Sequence, residues 1–271
     1  MRYLFSCVVV FCAFSIAAFA NPLSLEGHFS QGGLVTGQTS AGAKVSLNGK
    51  MVNVSPSGLF VFGFGRNAAD TAVIEIILPD GSRVSRVLKI KQRKYRTQKI
   101  NGLAKEMVTP SAKTLERIRE EVRNIRKARS VFTMENHFKS GFIWPSKGRI
   151  SGVYGSQRIL NGQPRRPHLG VDIAAPSGSP VVAASSGRVT LAENDLYFTG
   201  GTIIIHHGHG LSTVYSHLSD LVVQKGDVVS RGDLIGKIGS TGRSTGPHLD
   251  WRVNWFQERL DPMLLVGPML R

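Results

Sequence analysis

The sequence predicts a mainly β protein, in which a small β-sandwich and one amphipathic helix precede a C-terminal antiparallel, β-rich domain. Three observations support this fold class. Short apolar runs separated by turn signals fill both ends of the chain, helical periodicity is confined to one central segment, and strands do not alternate with helices. We therefore expect four segments: a signal peptide (1–20), the sandwich (21–95), a basic linker with the helix (96–140) and the C-terminal domain (141–271).

The N-terminal segment has the features of a secretory signal peptide. Arg2 precedes an uninterrupted apolar run, and Ala18-Phe19-Ala20 matches an A-x-A cleavage site. The run is shorter than the ~20 residues of a membrane-spanning helix, and no later segment is long and apolar enough, so we expect no transmembrane segment. Secretion across the inner membrane and a periplasmic location are the corresponding expectations.

The two cysteines limit the chemistry of the exported chain. Cys7 and Cys12 both lie within the signal, so cleavage after Ala20 leaves no thiol for a disulfide or a thiolate metal site. A lipid anchor on Cys12 is the competing interpretation. The bulky Phe11 before it suits a lipoprotein cleavage site poorly, and we therefore favour cleavage after Ala20.

Turn signals divide residues 32–90 into short strands. Apolar runs are interrupted by turn-forming sequences at Asn48-Gly49, Pro56-Ser57-Gly58 and Pro79-Asp80-Gly81. Polar and apolar residues alternate over 44–47 and 83–88, which indicates one buried and one wet face. No pattern in this part is typical of catalysis, so we interpret it as an accessory module.

One amphipathic helix is predicted from Pro110 to about Ser130. Its apolar residues recur at steps of three and four, as Leu115, Ile118, Val122 and Ile125. We expect this narrow stripe to dock on a neighbouring domain rather than to enter a membrane. Four aliphatic side chains without an aromatic residue offer little surface to a bilayer interface.

Positive charge is concentrated around this helix. The chain has a net charge of +16, and residues 83–129 carry 16 Lys and Arg against four Glu. An exported protein has little access to nucleic acid, so we expect no nucleic-acid partner. The basic region either contacts an anionic envelope surface or is a solvated linker and helix face without a partner, and both interpretations stay open.

Two segments hold side chains suited to a metal ion. His168 and Asp172 are four residues apart, and in an extended strand positions an even number apart point to the same face. Further along, a strand beginning at His248 alternates between polar residues, Asp250 among them, and apolar ones, which predicts a half-buried strand. His217 lies between the two segments.

These residues meet the requirements of a hydrolytic zinc site. Such a site needs three protein ligands and an open position for water, and imidazoles and carboxylates are the ligands left in a chain without cysteine. A structural or carbohydrate-binding β-domain is the alternative, because a lone His or an HxxxD match often occurs without a metal.

Five motifs keep a common order and spacing over roughly a hundred residues. They are HLGVDIAAP (168–176), SSGRV (185–189), HGHGL (207–211), YSHL (215–218) and GSTGRSTGPHL (239–249). On these motifs the stretch from Gly152 to Val253 resembles the lysostaphin-type, or LytM-type, metallopeptidases, which cut peptide bonds in peptidoglycan. The predicted sandwich and helix lie outside the resemblance.

The resemblance implies a role for each matching residue. His168 and Asp172 would bind zinc, and His217 and His248 would assist catalysis. The third ligand of the family is the last His of an HxH motif, where this chain has Asp250. A carboxylate ligates zinc at about the distance of an imidazole, so we expect Asp250 to complete the ligand set. The alternative is that Asp250 orients a neighbouring His from outside that set.

Asp250 changes the charge expected at the metal. Zinc with His and one Asp has a formal charge of +1, whereas zinc with His and two Asp is neutral, so the bound water should be less acidic. Lower activity or a preference for another divalent metal is the expected consequence.

The resemblance implies an exported zinc endopeptidase that hydrolyses cross-links or stem peptides of peptidoglycan. A protein of another class is the alternative. Some proteins that resemble this family have lost the metal site, bind the wall and activate a separate amidase. We prefer the enzyme, because four of the five family site positions match and the fifth holds a residue that can coordinate.

Several other residues have weaker functional claims. Tyr215 is expected to pack rather than to donate a proton. Three histidines beside glycines at a strand end are expected to be structural: His206, His207 and His209. Arg165 and Arg166 precede the first ligand, and they either contact a substrate carboxylate or are ordinary exposed cations.

Overall fold

The fold is mainly β, as the sequence predicts. A computed structural model describes residues 23–269, so the predicted signal peptide lies outside the described residues. Within residues 23–269 no helix is long and apolar enough to cross a membrane. Twenty strands of this part form four sheets.

Two antiparallel sheets in the N-terminal part share one core. Their strand orders are β1-β2-β5 and β4-β3-β6-β7. Alternate residues of β6 point into the core, where they meet aromatic side chains of β5. The strands are β1 (Leu23–Gly27), β2 (Leu34–Thr39), β3 (Lys44–Leu47), β4 (Lys50–Val52), β5 (Leu59–Gly63), β6 (Thr71–Ile77) and β7 (Arg83–Lys89).

The predicted amphipathic helix is α2 (Ala112–Arg129). Ser111 caps its N-terminus by accepting a hydrogen bond from the Thr114 amide at 3.2 Å. Ile125 packs on a cluster of apolar side chains from the large C-terminal sheet, whereas Leu115 stays 37% exposed. The helix therefore docks on a neighbouring sheet, as expected, and does so through its C-terminal half.

The segment expected to be a linker contains two further elements, β8 (Thr97–Ile100) and α1 (Lys105–Val108). β8 pairs in parallel with β10 (Gln157–Leu160), which also pairs with β11 (Gln163–Arg165). The four residues of β8 are too few to show a clear alternation, and their partner is distant in sequence. This strand consequently has no local signal in the sequence.

The large C-terminal sheet is antiparallel. Its main path is β17-β14-β15-β16-β19-β12-β9, with β13, β18 and β20 attached beside it. Its strands are β9 (Arg149–Gly152), β12 (Val171–Ala174), β13 (Pro180–Val182), β14 (Gly187–Leu196), β15 (Gly200–Gly208), β16 (Leu211–Leu221), β17 (Val228–Val229), β18 (Leu234–Ile238), β19 (His248–Trp255) and β20 (Glu258–Leu260). Two 3-10 turns, His137–Ser140 and Pro262–Leu264, complete the described structure.

The small sandwich and the large sheet are packed together. Leu34 and Val61 of the sandwich belong to the same apolar cluster as Leu260 of the large sheet. The buried carboxylate of Asp261 forms an ion pair with Arg93 at 2.8 Å, and its backbone amide donates to the Gly32 carbonyl. These contacts hold the sandwich against the side of the sheet that β20 occupies.

Candidate functional site

Two neighbouring strands bring the predicted carboxylates together. β12 and β19 are antiparallel, and Asp172 lies directly opposite Asp250 in their register. Directly opposite residues project on the same face of a sheet, so both carboxylates enter the same space. One ligand atom from each of His168, Asp172 and Asp250 lies within 4.8 Å of the others, and all three residues are buried.

His168 reaches this point from a loop before β12, not from the strand itself. The prediction that His168 and Asp172 share one extended strand was therefore wrong. The prediction that their side chains lie close together is confirmed. Its backbone is fixed by hydrogen bonds to Ser156 and Gly155. Nε2 of His168 lies 3.1 Å from Oδ1 of Asp172.

Buried polar atoms without hydrogen bonds converge at this point. Both ring nitrogens of His168 and Oδ1 of Asp172 have no hydrogen-bond partner within residues 23–269. An unpaired buried polar atom costs roughly 1–3 kcal/mol. A divalent cation coordinated by these atoms would remove that cost, so the donor set fits a metal ion.

Two arginines contact the same carboxylates. The Arg158 guanidinium donates to Oδ2 of Asp172 at 2.6 Å, and Arg252 donates to both oxygens of Asp250, through Nε to Oδ1 at 2.9 Å and through Nη2 to Oδ2. Burial raises the pKa of Asp250, but the charge and hydrogen bonds of Arg252 outweigh burial and hold it well below its usual range. Asp250 is thus an ionised carboxylate shared between an arginine and the candidate metal position.

His217 and His248 stand together beside the candidate ligands, with ring centroids 4.7 Å apart. Nδ1 of His217 donates to the Thr241 carbonyl, and Nδ1 of His248 donates to the Gly246 carbonyl, each at 2.8 Å. A carbonyl only accepts, so each ring has a proton on Nδ1, and Nε2 is the atom that can take up another. Nε2 of His248 is 3.9 Å from Oδ1 of Asp172.

Burial keeps His217 neutral. It lowers the pKa of His217 to about 4, against smaller raising effects of Asp250 and the Thr241 carbonyl. His217 has a positive φ of 67°, which is uncommon for a residue with a side chain, and its amide donates to the Thr199 carbonyl. An unprotonated imidazole in this position is able to accept a proton at neutral pH.

Two glycines allow the strands to approach the carboxylates. A Cβ at Gly152 of β9 would overlap Oδ2 of Asp172, and a Cβ at Gly170 would overlap the Arg252 side chain and the Trp251 carbonyl. Both positions therefore require the absence of a side chain.

A cleft of about 320 Å³ opens onto these residues. Asp172, His217 and His248 lie in its wall, and Gln98 and Ile100 of β8 form another part of it. The size falls within the range of ligand pockets in proteins, which is roughly 300–1,000 Å³. A larger cavity of about 560 Å³ lies between the sandwich and the large sheet, and none of the three candidate ligands lines it.

Residues 166–262 match the model of Peptidase family M23. We call this matched region the M23 domain. The match includes the candidate ligands and both imidazoles of the cleft, which agrees with the resemblance found in the sequence.

The relatives of this M23 domain are longer proteins. Peptidoglycan DD-endopeptidase ShyA of Vibrio cholerae is 43% identical over 109 residues, which are 40% of this chain and 25% of ShyA. DD-carboxypeptidase/endopeptidase Mpg of Neisseria meningitidis is 37% identical over 120 residues, which are 44% of this chain and 27% of Mpg. The chain thus spans only about a quarter of the length of these relatives.

The fold also occurs in a solved structure. A crystal structure described as a candidate peptidase M23 from Pseudomonas aeruginosa has a TM-score of 0.69 and 25% identity. The similarity covers 89% of this chain and 96% of that one. It therefore extends beyond the M23 domain to most of the residues before it.

Within the M23 domain, several weaker expectations have clear outcomes. Tyr215 is fully buried, and its hydroxyl accepts hydrogen bonds from the Ala184 amide and the Thr213 hydroxyl, so it packs as expected. His207 is also fully buried between the Ser186 carbonyl and the Thr213 hydroxyl. Within residues 23–269, the group of side chains close enough to hold a metal is His168, Asp172 and Asp250, and it includes none of His206, His207 and His209.

The predicted burial of β19 was wrong. Its apolar residues Leu249, Trp251 and Val253 enter the core as expected, but its polar residues Asp250 and Asn254 are buried too. The sequence pattern indicates which residues share a face. It does not show that β16 and β12 flank both sides of this strand and that Arg252 covers Asp250.

Two arginines of the site have different signals in the sequence. Arg252 lies two residues after Asp250 on the same face of β19, so the alternation already places it beside that carboxylate. Arg158 was not predicted. It comes from β10, and its contact with Asp172 depends on how β10 folds against β12, for which the sequence has no local pattern.

Proposed function

We propose that the chain is an exported, metal-dependent endopeptidase that hydrolyses peptide bonds in the cross-links or stem peptides of bacterial peptidoglycan. The observation that carries this proposal is the convergence of buried His168 and Asp172 atoms, which have no hydrogen bond within residues 23–269, with two imidazoles whose Nδ1 atoms are bound to carbonyls and whose Nε2 atoms can accept a proton. ShyA and Mpg are named as a peptidoglycan DD-endopeptidase and a DD-carboxypeptidase/endopeptidase, which supports the substrate class.

His168, Asp172 and Asp250 would hold the ion, and zinc suits this set of one imidazole and two carboxylates. When bound there, a divalent cation supplies a Lewis acid next to the scissile carbonyl. Arg252 keeps Asp250 ionised and oriented, and Arg158 donates a hydrogen bond that orients Asp172.

One of the two imidazoles transfers a proton from the attacking water to the leaving amine. In the proposed reaction, Nε2 of His217 or His248 accepts a proton from the attacking water, whose oxygen forms a bond to the carbonyl carbon. The carbon–nitrogen bond then breaks, and the protonated ring returns the proton to the amine that leaves.

The test uses the protein purified after expression of the full chain. Bound metal is measured by elemental analysis, and new amino termini are counted during incubation with peptidoglycan sacculi. We expect stoichiometric metal and steady release, and absence of both with every divalent ion tried would reject the enzyme.

Asp250 as third ligand has its own test. Asp250→Ala should lose the metal because two ligands remain, while Asp250→His should retain it because an imidazole reaches the same position. Elemental analysis of the two variants decides between the roles. Full metal occupancy in Asp250→Ala would place Asp250 outside the ligand set.

A second candidate function is a wall-binding regulator that activates a separate amidase. The ion pairs of Asp172 with Arg158 and of Asp250 with Arg252 favour it, because they compensate both carboxylates without a metal. One relative, 30% identical over 132 residues, is named cell division protein DipM of Caulobacter vibrioides. This candidate predicts neither bound metal nor new amino termini in the test above.

Export and the basic region belong to the same proposal. Residues 1–20 would direct the chain to the periplasm, and residues 83–129 would bind the anionic surface of the envelope. In the structure, Arg119 and Arg123 of α2 and Lys89 of β7 are exposed, so these charges are available for such contact.

Salt dependence tests the proposed anionic surface. Replacing Arg119 and Arg123 by Gln should lower the fraction of protein that sediments with sacculi, because long-range attraction between charges is lost. The matched control removes two exposed cations outside the region, Lys147 and Lys225. Equal loss in both double variants, or binding that does not fall with added salt, would reject a dedicated surface.

A further inference from the structure

A guanidinium without an acidic partner lies in the wall of the cleft. Arg243 is half-buried and lines the same cavity as His217 and His248. Among the described residues its guanidinium makes one hydrogen bond, from Nη1 to the Met107 carbonyl at 3.1 Å. No ion pair joins it to a carboxylate of residues 23–269, although Arg158 and Arg252 of the same region each have one.

The loop that contains Arg243 also orients both imidazoles. Thr241 accepts the Nδ1 hydrogen of His217, and the Ser244 hydroxyl lies 3.2 Å from Nδ1 of His248. Arg243 stands between these two residues in the sequence. A group bound by its guanidinium would therefore lie within a short distance of the bond that the imidazoles act on.

The guanidinium is held in a fixed orientation. It stacks on the ring of Phe198, with 4.3 Å from Cζ to the ring centroid, while Nη1 donates to Met107. Arg243 has five N–H donors, so most of them remain for a ligand in the cleft. A stacked, planar guanidinium is suited to bidentate binding of a carboxylate.

The electrostatic surroundings favour an anion. Burial, together with the charges of Arg158, Arg252 and Arg165, lowers the pKa of Arg243 to about 10, so the group remains a cation at neutral pH. The Met107 carbonyl has only a partial charge and does not neutralise it. Three arginines line the cleft, Arg149, Arg158 and Arg243, and within residues 23–269 only Arg158 forms an ion pair, so the wall has an excess of positive charge that an anion would compensate.

We propose that Arg243 binds a carboxylate of the substrate peptide and thereby selects peptides with a free carboxyl group close to the scissile bond. This inference rests on the proposed function for the identity of the substrate, because wall peptides carry carboxylates. Carboxylate recognition by Arg243 can be measured separately from the proposed enzyme activity, because a peptide can bind in the cleft without being hydrolysed.

The first measurement is binding by calorimetry. Two synthetic stem peptides are compared, one with a free terminal carboxyl group and one with that group amidated, both too short to contain a cross-link. A hydrogen-bonded charge pair contributes roughly 1.5–3 kcal/mol, so the acid should bind about 10- to 100-fold more tightly than the amide. In Arg243→Gln this preference should vanish, and Arg243→Lys should retain part of it.

A matched control separates charge recognition from support of the neighbouring segment. The Tyr197 hydroxyl donates to the Glu106 carbonyl at 2.9 Å, so Tyr197→Phe removes another contact to the segment that Arg243 touches but leaves the cation in place. We expect Tyr197→Phe to keep the preference for the acid. If Tyr197→Phe loses the preference for the acid just as Arg243→Gln does, then the role of Arg243 is only to hold the segment at Met107.

Cleavage of a cross-linked peptide dimer in its acid and amide forms is the second measurement. The ratio of kcat/KM for the two forms should fall about 10- to 100-fold in Arg243→Gln, whereas general damage to the fold would lower both values equally. If the natural chain binds acid and amide equally, the inference is wrong even when both dimers are cleaved. If no dimer is cleaved but the acid is preferred in binding, the inference stands and the endopeptidase proposal fails.

Discussion

Arg252 and Asp250 are two residues apart on one strand and form the tightest charge pair of the site. Zinc with His168, Asp172 and Asp250 would be formally neutral, which predicts weak polarisation of water. The guanidiniums of Arg252 and Arg158 add two positive charges directly behind the carboxylates. They draw electron density from the ligand oxygens, so they oppose the loss of polarisation that a second carboxylate ligand would cause.

Arg252→Gln tests how much the Arg252–Asp250 ion pair contributes to the stability of the protein and how it affects metal binding. The variant leaves Asp250 buried with no cation, so the free energy of unfolding of the metal-free protein should fall by about 3–5 kcal/mol. Zinc would then be the remaining source of positive charge, and its affinity should rise by at least about tenfold. Urea unfolding with chelator and with zinc measures both effects.

The control for this variant is Arg259→Gln. Arg259 of β20 is half-buried and hydrogen-bonded to Asn254 of β19, and none of its hydrogen bonds within residues 23–269 goes to a candidate ligand. The free energy of unfolding of Arg259→Gln should fall by the same amount with and without zinc. If Arg252→Gln behaves in the same way, Arg252 has a packing role and does not compete with the metal for Asp250.

At the scale of single residues, the sequence predicted the site well wherever a residue type and a motif determine the chemistry. His168, Asp172 and Asp250 meet as expected, and His217 and His248 stand beside them. Their catalytic and ligand roles stay predictions. The contact of Arg158 with Asp172 could not be predicted, because it joins residues on strands that are not sheet neighbours.

At the scale of elements, the spacing of β9 and β12 depends on close contact between the backbone of β9 and a side chain of β12. Asp172 faces Gly152 in their register, which shifts after that pair, and Oδ2 of Asp172 occupies the space that a Cβ would need. Because Gly152 has no side chain, β9 can lie in contact with the Asp172 carboxylate. This contact holds the carboxylate in its orientation toward His168. The strand sequence alone indicates β structure but does not reveal this requirement.

Gly152→Ala should displace the carboxylate without unfolding the protein. The added methyl group forces Asp172 away from Arg158 and from the candidate metal position, with a stability cost of about 1–3 kcal/mol. A displacement of about 1 Å near the reacting atoms costs on the order of 100-fold in rate. Metal content and release of amino termini from sacculi are the two measurements.

Gly267→Ala is the matched substitution, because nothing lies within 4 Å of a Cβ at that position. It should leave metal content and hydrolysis unchanged. Normal metal binding and hydrolysis in Gly152→Ala would show that Asp172 has room to move, and that the close approach of β9 does not fix the ligand.

Elements with long-range partners mark the limit of sequence-based prediction. The helix at 112–129 was predicted within two residues of its ends, because its periodicity and its Ser111 cap are local signals. β8 was missed, and with it the fact that residues before the helix line the cleft. A parallel pair between segments far apart in sequence leaves no pattern in either of them.

At the scale of the whole molecule, the sandwich has a core of its own between its two sheets, but three of its side chains also enter the core of the M23 domain. Leu34, Leu59 and Val61 of the sandwich are in one apolar cluster with Trp251 and Leu260. Asp261 binds Arg93 across the same boundary. The sandwich therefore supports the side of the M23 domain that carries β19, and β19 provides Asp250.

The shared contacts predict one unfolding transition for the described part of the chain rather than two, because separation of the two parts would expose buried apolar side chains of both. Leu260 is fully buried against Gly63 of the sandwich, so Leu260→Ala should lower the free energy of unfolding by about 2–5 kcal/mol. Metal affinity should fall as well, since β20 pairs with β19. Met263→Ala, at a position 41% exposed, is the control and should change neither. Calorimetry that resolves two transitions in the natural protein would show that the sandwich folds independently and only rests on the M23 domain.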